Sequence, residues 1–253
     1  MYTIQALRNF YIDFPIPGLA MYFQDKIDQS VRIVGYIWLV RGGGKTIVVD
    51  AGIGQAPEVA GEIKQMVGHF TVAPGEDTAS LLRSAGVAPC DVDYLILTHL
   101  HTDHCLNTPL FTRARIVISR RGWEAVARPA HPALFPKRVF ALDVLRHLRE
   151  QAWDRVQLAD DEERVLPGIS VFYTGGHTPC SQAVRIETAA GAAIITGDVV
   201  SLYGHIEENI PVAYCHDLLE CYKAMDRIRR EADIVLPTHD PAVLVRHPGG
   251  KIG

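Results

Sequence analysis

Four side chains that can hold a metal ion follow one short apolar run of the sequence. The run stops at Thr98, and His99, His101, Asp103 and His104 fall within the next six positions. Imidazole nitrogens and carboxylate oxygens bind borderline divalent metals. Alternation along an extended segment places His99 and His101 on the same side, with Asp103 and His104 in the turn that follows. The junction of strand and loop therefore predicts a metal site.

Further metal-binding side chains stand where other predicted strands end. His177, Asp198 and His239 each come directly after such a strand. Strand ends present side chains to a shared site, so we expect these three residues to complete a site for two metals. Asp50 also ends a strand, where a carboxylate either orients a metal-bound histidine or caps a turn. His205 is kept as a further candidate because it comes soon after Asp198.

The elements that must position these residues alternate between strand and helix patterns. Strands are predicted at residues 2–9, 31–40, 45–50, 94–97, 114–119, 156–158, 170–174, 182–187, 192–196 and 234–236. Helices are predicted at residues 80–85, 121–128, 142–148 and 217–230, and the segment 54–77 is expected to be loop-rich with one helix. The alternation favours an α/β fold in a single domain over residues 1–253.

An apolar, aromatic insertion is predicted around residues 129–152. Segments of this kind form a substrate wall or lid, or pack against another subunit. The sequence leaves a monomer and a homodimer equally open.

The composition restricts the class of protein. Of the 253 residues 48% are hydrophobic and 21% are charged, which is ordinary for a globular protein with a sizeable core. The formal net charge of -4 gives no reason to expect a nucleic acid partner. Five cysteines without paired metal spacing suit a reducing compartment. With neither a signal-peptide pattern nor a long apolar run, we expect a cytoplasmic protein with no membrane partner.

The sequence HLHTDH at residues 99–104, followed by the three later strand-end residues, resembles the metallo-β-lactamase superfamily from Asp50 to His239. The resemblance implies a metallo-β-lactamase-like αββα sandwich with a two-metal centre at one edge of its sheets. Zinc is the first choice of metal, with iron, manganese and cobalt as alternatives. The resemblance also implies two groups of ligands and a carboxylate that bridges them. One group is His99, His101 and His177, the other is Asp103, His104 and His239, and the bridging residue is Asp198.

Within the superfamily the chain looks most similar to the N-acyl-homoserine lactonases of the quorum-quenching type. The similarity includes overall length, the placement of residues 207–211 after Asp198, and the closing His239-Asp240. Those lactonases carry a tyrosine three residues after the bridging aspartate, and here Ser201 takes that position, with Tyr203 as the nearest phenol. The aromatic residue that the family places before the metal-binding aspartate is replaced by Thr102.

The resemblance implies an enzyme that opens a lactone ring with a hydroxide bridging two metal ions as the nucleophile. Asp103 would pass a proton to the leaving alkoxide, and Tyr203 would donate a hydrogen bond to the intermediate. Thr102, Asn107 and Ser201 are expected to shape the pocket. N-acyl-homoserine lactones are the first choice of substrate, and a lactone of aromatic or vitamin catabolism is the alternative. A glyoxalase-type thioesterase is less favoured, because that form has a C-terminal helical domain and the sequence ends fourteen residues after His239.

Overall fold

The computed structural model describes residues 1–53, 69–137 and 139–253. Most of the segment 54–77, for which we expected loops and one helix, lies outside these residues. The described strands are, in chain order, β1 (Thr3–Tyr11), β2 (Ile16–Pro17), β3 (Ser30–Val31), β4 (Val34–Gly42), β5 (Lys45–Val49), β6 (Tyr94–Ile96), β7 (Arg115–Ser119), β8 (Val156–Ala159), β9 (Glu162–Leu166), β10 (Ile169–Tyr173), β11 (Gln182–Thr188), β12 (Gly191–Ile195), β13 (Ile234–Leu236) and β14 (Lys251–Ile252).

The described part of the chain also contains α-helices. In the order of the chain they are α1 (Gly18–Met21), α2 (Thr78–Ser84), α3 (Thr102–Cys105), α4 (Arg120–Ala127), α5 (Leu142–Glu150), α6 (Tyr203–Glu207), α7 (Leu218–Glu231) and α8 (Ala242–Arg246). Within the part of the chain that the structure describes, no helix has both the length and the apolar character needed to cross a membrane.

Two large sheets carry the fold. The first has the strand order β14-β1-β4-β5-β6-β7-β8, and the second has the order β13-β12-β11-β10-β9. Strands β5, β6, β7 and β8 run parallel to one another, so their carboxyl ends meet at one edge of the first sheet. Strand β12 is parallel to β13 in the second sheet, which brings the ends of these two strands to the same edge.

The first long hairpin depends on a glycine pair. Strands β4 and β5 pair antiparallel from Trp38↔Val49 to Gly42↔Lys45. Gly43 and Gly44 form the connection with φ angles of 58° and 72°. A two-residue hairpin turn needs positive φ at both positions, which only glycine adopts without strain. Gly43 and Gly44 therefore form the turn of this hairpin.

Buried hydrophobic side chains pack in three places: between the two sheets, on the outer face of the first sheet and on the outer face of the second sheet. Alternate residues of one strand face opposite sides, so Trp38 packs between the two sheets while Ile37 packs on the outer face of the first sheet. That outer face is covered by helices α2 and α5, through Leu82 and Leu148. The outer face of the second sheet is covered by α7, whose Met225 is fully buried.

Helix, sheet, sheet and helix therefore stack in the αββα order that the sequence predicted. The prediction missed β9 and the β2–β3 hairpin for different reasons. Strand β9 is an edge strand with charged residues, EERVL, and does not show a clean apolar alternation. Strands β2 and β3 have only two residues each, which is too short for a periodic pattern.

Candidate metal centre

The first predicted ligands lie just beyond the end of β6. That strand ends at Ile96, so His99 and His101 are not part of it. Asp103 and His104 belong to the one-turn helix α3, and the simple turn that we predicted for them is therefore wrong. The helix forms because the backbone N–H groups of residues 104 and 105 both donate to the carbonyl oxygen of His101.

The predicted ligands of both sheets converge into two adjoining groups. Within each group the candidate ligand atoms lie within 4.8 Å of one another. The second sheet supplies the three residues that follow β10, β12 and β13, and the first sheet supplies the rest. The two groups are His99, His101, His177 and Asp198, and then Asp103, His104 and His239.

Asp198 lies between the two groups. Its Oδ1 is 3.2 Å from Nε2 of His104, and its Oδ2 is 3.2 Å from Nε2 of His239. On the other side its Oδ2 is 3.6 Å from Nε2 of His177. The Thr238 hydroxyl donates to Oδ1 over 2.7 Å, which fixes the carboxylate in this position. A carboxylate placed in this way can bridge two cations.

Three imidazoles are oriented from behind by oxygen atoms. Hydrogen bonds join Nδ1 of His104 to Asp50 Oδ2 (2.8 Å), Nδ1 of His177 to Tyr214 O (2.7 Å), and Nδ1 of His239 to Val34 O (2.7 Å). Each oxygen accepts the Nδ1 proton, so Nε2 is the nitrogen that faces the centre.

Two roles were expected for Asp50, and in the structure its carboxylate orients a histidine, His104. Its carboxylate is fully buried and also accepts hydrogen bonds from the backbone N–H and the hydroxyl of Thr98. The Asp50 backbone has a φ of 61°, which is uncommon for a residue other than glycine. The three hydrogen bonds compensate for this conformation.

The pKa values of the imidazoles are shifted in opposite directions. Burial, and then the neighbouring imidazoles, hold the pKa of His99 and of His101 well below the ordinary value. Burial acts in the same direction on His104, but the Asp198 and Asp103 carboxylates outweigh it and raise the pKa of His104 well above its ordinary value. Burial also opposes the charge of Asp198, yet His239 and His104 hold the pKa of that carboxyl well below its usual range.

The residues fit divalent metal ions. Nε2 of His99 is buried and has no hydrogen-bond partner among the described residues, and Nδ1 of His101 lies 3.1 Å from Nε2 of His177. An unpartnered buried polar atom costs free energy, and a metal ion bound at Nε2 of His99 would compensate for it. Together with the carboxylates, the neutral imidazoles form a donor set suited to zinc and similar ions.

A cavity of about 180 Å³ opens onto both groups. Its walls are mostly apolar and come from β1, the segment 12–33, the segment 69–77 and the loop after α6; they include Phe10, Met21, Ile33, Phe70, Val212 and Tyr214. Sequence reasoning missed these residues, because apolar side chains at such positions look like ordinary core. Val139 also lines the cavity, and the Phe140 ring lies 4.7 Å from the His101 ring, so the segment 129–152 does supply part of the wall.

The candidate pocket residues separate into those at the cavity and those away from it. Ser201 lines the cavity, but its hydroxyl donates to the Asp198 carbonyl oxygen over 3.0 Å. Thr102 is buried and donates to the Val139 carbonyl oxygen, and Asn107 donates to the Thr78 hydroxyl.

Tyr203 and His205 lie away from the cavity, in disagreement with the prediction. Tyr203 is buried in the core between the sheets, and the guanidinium of Arg246 lies 3.6 Å from the centre of its ring. His205 is buried and packs on Tyr22 with a ring separation of 4.6 Å. Both belong to the first turns of α6, which direct them into the interior rather than toward Asp198.

Comparisons with family models and with known proteins agree on one family. The model of the metallo-beta-lactamase superfamily matches residues 31–239. An N-acyl homoserine lactonase of Bacillus thuringiensis is 27% identical over 165 residues, which cover 64% of this chain and 61% of that protein. The match thus spans less than two thirds of that relative's length. Metallo-beta-lactamase domain-containing protein 1 of Xenopus laevis is 29% identical over 206 residues, covering 74% of this chain and 77% of that protein.

Solved structures agree with the fold. A structure of an N-acyl homoserine lactone hydrolase, with the product N-hexanoyl-L-homoserine at its catalytic metal center, aligns with a TM-score of 0.77 at 22% identity, covering 96% of this chain and 95% of that one. A dizinc quorum-quenching lactonase aligns with a TM-score of 0.70 at 16% identity, covering 99% and 89%. The family match covers most of the chain and includes all seven predicted ligands, and we conclude that this chain belongs to the metallo-β-lactamase superfamily.

Proposed function

We propose that the protein is a metal-dependent hydrolase that opens a lactone ring. The observation that carries the proposal is the pair of adjoining ligand groups that share Asp198 at the floor of an apolar cavity. The similarity to N-acyl homoserine lactonases supports the same reaction and makes acyl-homoserine lactones the first substrates to test. When bound, two divalent ions, with zinc the first candidate, would acidify a water molecule and polarise the ester carbonyl.

Residues of the chain supply the other functions: they position the ligands, exclude water and transfer a proton. Asp198 holds the two halves of the centre together, and the oriented histidines keep their Nε2 atoms directed at it. The apolar wall excludes water and holds the substituent of the ring. Asp103 lines the cavity and is the residue placed to pass a proton to the ring oxygen as the carbon–oxygen bond breaks. Water adds a hydroxyl group to the carbonyl carbon, and a hydroxy acid is released.

The experiment measures acid release and metal content together. A pH-indicator assay would compare acyl-homoserine lactones, simple γ- and δ-lactones, aromatic lactones, thioesters and phosphodiesters. We expect lactones to be hydrolysed, and we expect His101→Ala to lose turnover while its metal content falls from about two ions per chain to one or none. His147→Ala is the matched control, because its imidazole is on α5 and bonds only to Gln151 among the described residues.

Two results would contradict the proposal. Full lactone turnover by a metal-free His101→Ala variant would remove the metal centre from the reaction. Rapid cleavage of thioesters by an enzyme that turns over no lactone would replace the lactonase with a thioesterase.

A further inference from the structure

Tyr214 occupies an unusual place at the metal centre. Its ring centre lies 6.0 Å from that of His101 and 5.7 Å from that of His177, although 53% of the residue is exposed. No hydrogen bond engages its phenol oxygen within residues 1–53, 69–137 and 139–253. A large exposed aromatic ring beside two candidate ligands is in a position to contact substrate.

A second hollow lies on the far side of this ring. It has a volume of about 160 Å³ and is lined in part by Leu134, Phe140, Thr178 and His216. Among the described residues, only Tyr214 and the two histidines line both this hollow and the larger apolar cavity. Asp103, Asp198 and His239 line the larger cavity and not the second hollow. The reacting ester therefore belongs in the larger cavity, and the second hollow lies beyond it.

The backbone around Tyr214 is held on both sides. Its carbonyl oxygen accepts the hydrogen bond from His177, and the preceding N–H of Ala213 donates to Met21 over 2.9 Å. On the other side the N–H of His216 donates to the Gly176 carbonyl oxygen over 2.6 Å. The backbone that carries the Tyr214 ring is therefore attached next to His177.

We propose that Tyr214 is a specificity-determining residue that separates the two hollows and limits the size of a substituent reaching from the ester into the second one. The proposal rests on the proposed lactonase function. It assigns the preferred substrates to lactones with one apolar substituent, which fits the larger cavity. Lactones with a second bulky group on the opposite side of the ring are disfavoured by the Tyr214 ring.

The test uses a matched pair of lactones. One is a γ-butyrolactone with a hexanoylamino substituent, and the other carries an added phenyl group on the ring carbon next to the ring oxygen. In Tyr214→Ala, the ratio of kcat/KM for the phenyl lactone to kcat/KM for the simpler lactone should rise at least about tenfold. Tyr214→Phe should keep the wild-type ratio, because it keeps the bulk of the ring.

The control and a binding measurement separate this inference from the proposed function. Leu219→Ala removes another exposed apolar side chain, which lines neither hollow, and it should change neither rate. Non-hydrolysable lactams of the same two shapes give affinities by calorimetry, and Tyr214→Ala should tighten the phenyl lactam selectively. Wild-type protein that cleaves neither lactone contradicts the proposed function. An affinity ratio that is the same in wild type and Tyr214→Ala, or no lactam binding to either protein, overturns the role of Tyr214.

Discussion

His205 shows how an imidazole can be part of a histidine-rich protein without belonging to its metal centre. Its Nδ1–H donates to the Ile210 carbonyl oxygen over 2.9 Å, and its buried Nε2 has no partner among the described residues. A second proton would place a charge and an unpaired N–H in an apolar setting. Burial accordingly lowers the pKa of His205 from 6.5 to about 4.

This histidine predicts a loss of stability in mild acid. The unfolded chain takes up a proton near the ordinary pKa of 6.5, whereas the folded chain resists protonation down to about 4. The contribution is therefore fully present above pH 6.5 and is lost as the pH falls toward 4, by about 3 kcal/mol in all. Urea unfolding of wild type and His205→Gln between pH 7 and 4 measures the difference, and the variant should show the shallower decline. Identical pH dependence in the two proteins would contradict the assignment.

Residue type explains which parts of the site were predictable. Histidine and aspartate at strand ends carry their chemistry in the side chain, so the sequence alone indicated the seven residues that converge. The contacts that orient His177 and His239 come from the backbone carbonyl groups of Tyr214 and Val34, and any residue type offers such a group. Their positions could be found only from the three-dimensional structure.

At the scale of elements, Thr102 joins the metal-binding helix α3 to the segment 129–152. Both its backbone N–H and its hydroxyl donate to the Val139 carbonyl oxygen, each over 2.8 Å. Next to this contact, His101 forms a β-bridge with Phe140. The departure from the family's aromatic residue is therefore a structural attachment for the cavity wall rather than a gap in the pocket.

Replacing Thr102 with valine should loosen this wall. The variant keeps the shape of the side chain and the backbone hydrogen bond but removes the hydroxyl donor, which should cost about 1 kcal/mol. Hydrogen exchange should become faster at the amides of residues 139 and 140. Thr108→Val is the matched control, because that buried hydroxyl donates to the Cys105 carbonyl oxygen and not to residue 139 or 140. Equal exchange at residues 139 and 140 in both variants would show that Thr102 does not hold the wall.

Local sequence patterns do not predict the direction in which the Tyr203 side chain points. The Leu202 backbone is extended and α6 begins directly after it, so Tyr203 points into the core although it is only five positions from Asp198. Distance along the chain does not say which way the first turn of a helix faces. The strands themselves were predictable because their apolar runs are long and β-branched.

For the whole molecule, the candidate metal ligands come from both sheets. One set of ligands follows β6 in the first sheet, and the residues that follow β10, β12 and β13 come from the second sheet. An ion that binds only the folded protein stabilises it by about 2.7 kcal/mol when its concentration is a hundred times Kd. For a chain of this length, that free energy corresponds to about 5–10 °C in Tm.

Removing the metal ions should therefore lower Tm by about 5–10 °C, and restoring zinc should reverse the change. Thermal unfolding with a chelator and after dialysis into zinc measures both steps. His101→Ala should show a smaller response, because one ligand group has lost a donor whose Nδ1 lies 3.1 Å from Nε2 of His177. A Tm that neither chelation nor zinc alters would mean that the ligands of the two sheets converge without binding a metal ion, and the proposed hydrolase would lose its cofactor as well as the link between its sheets.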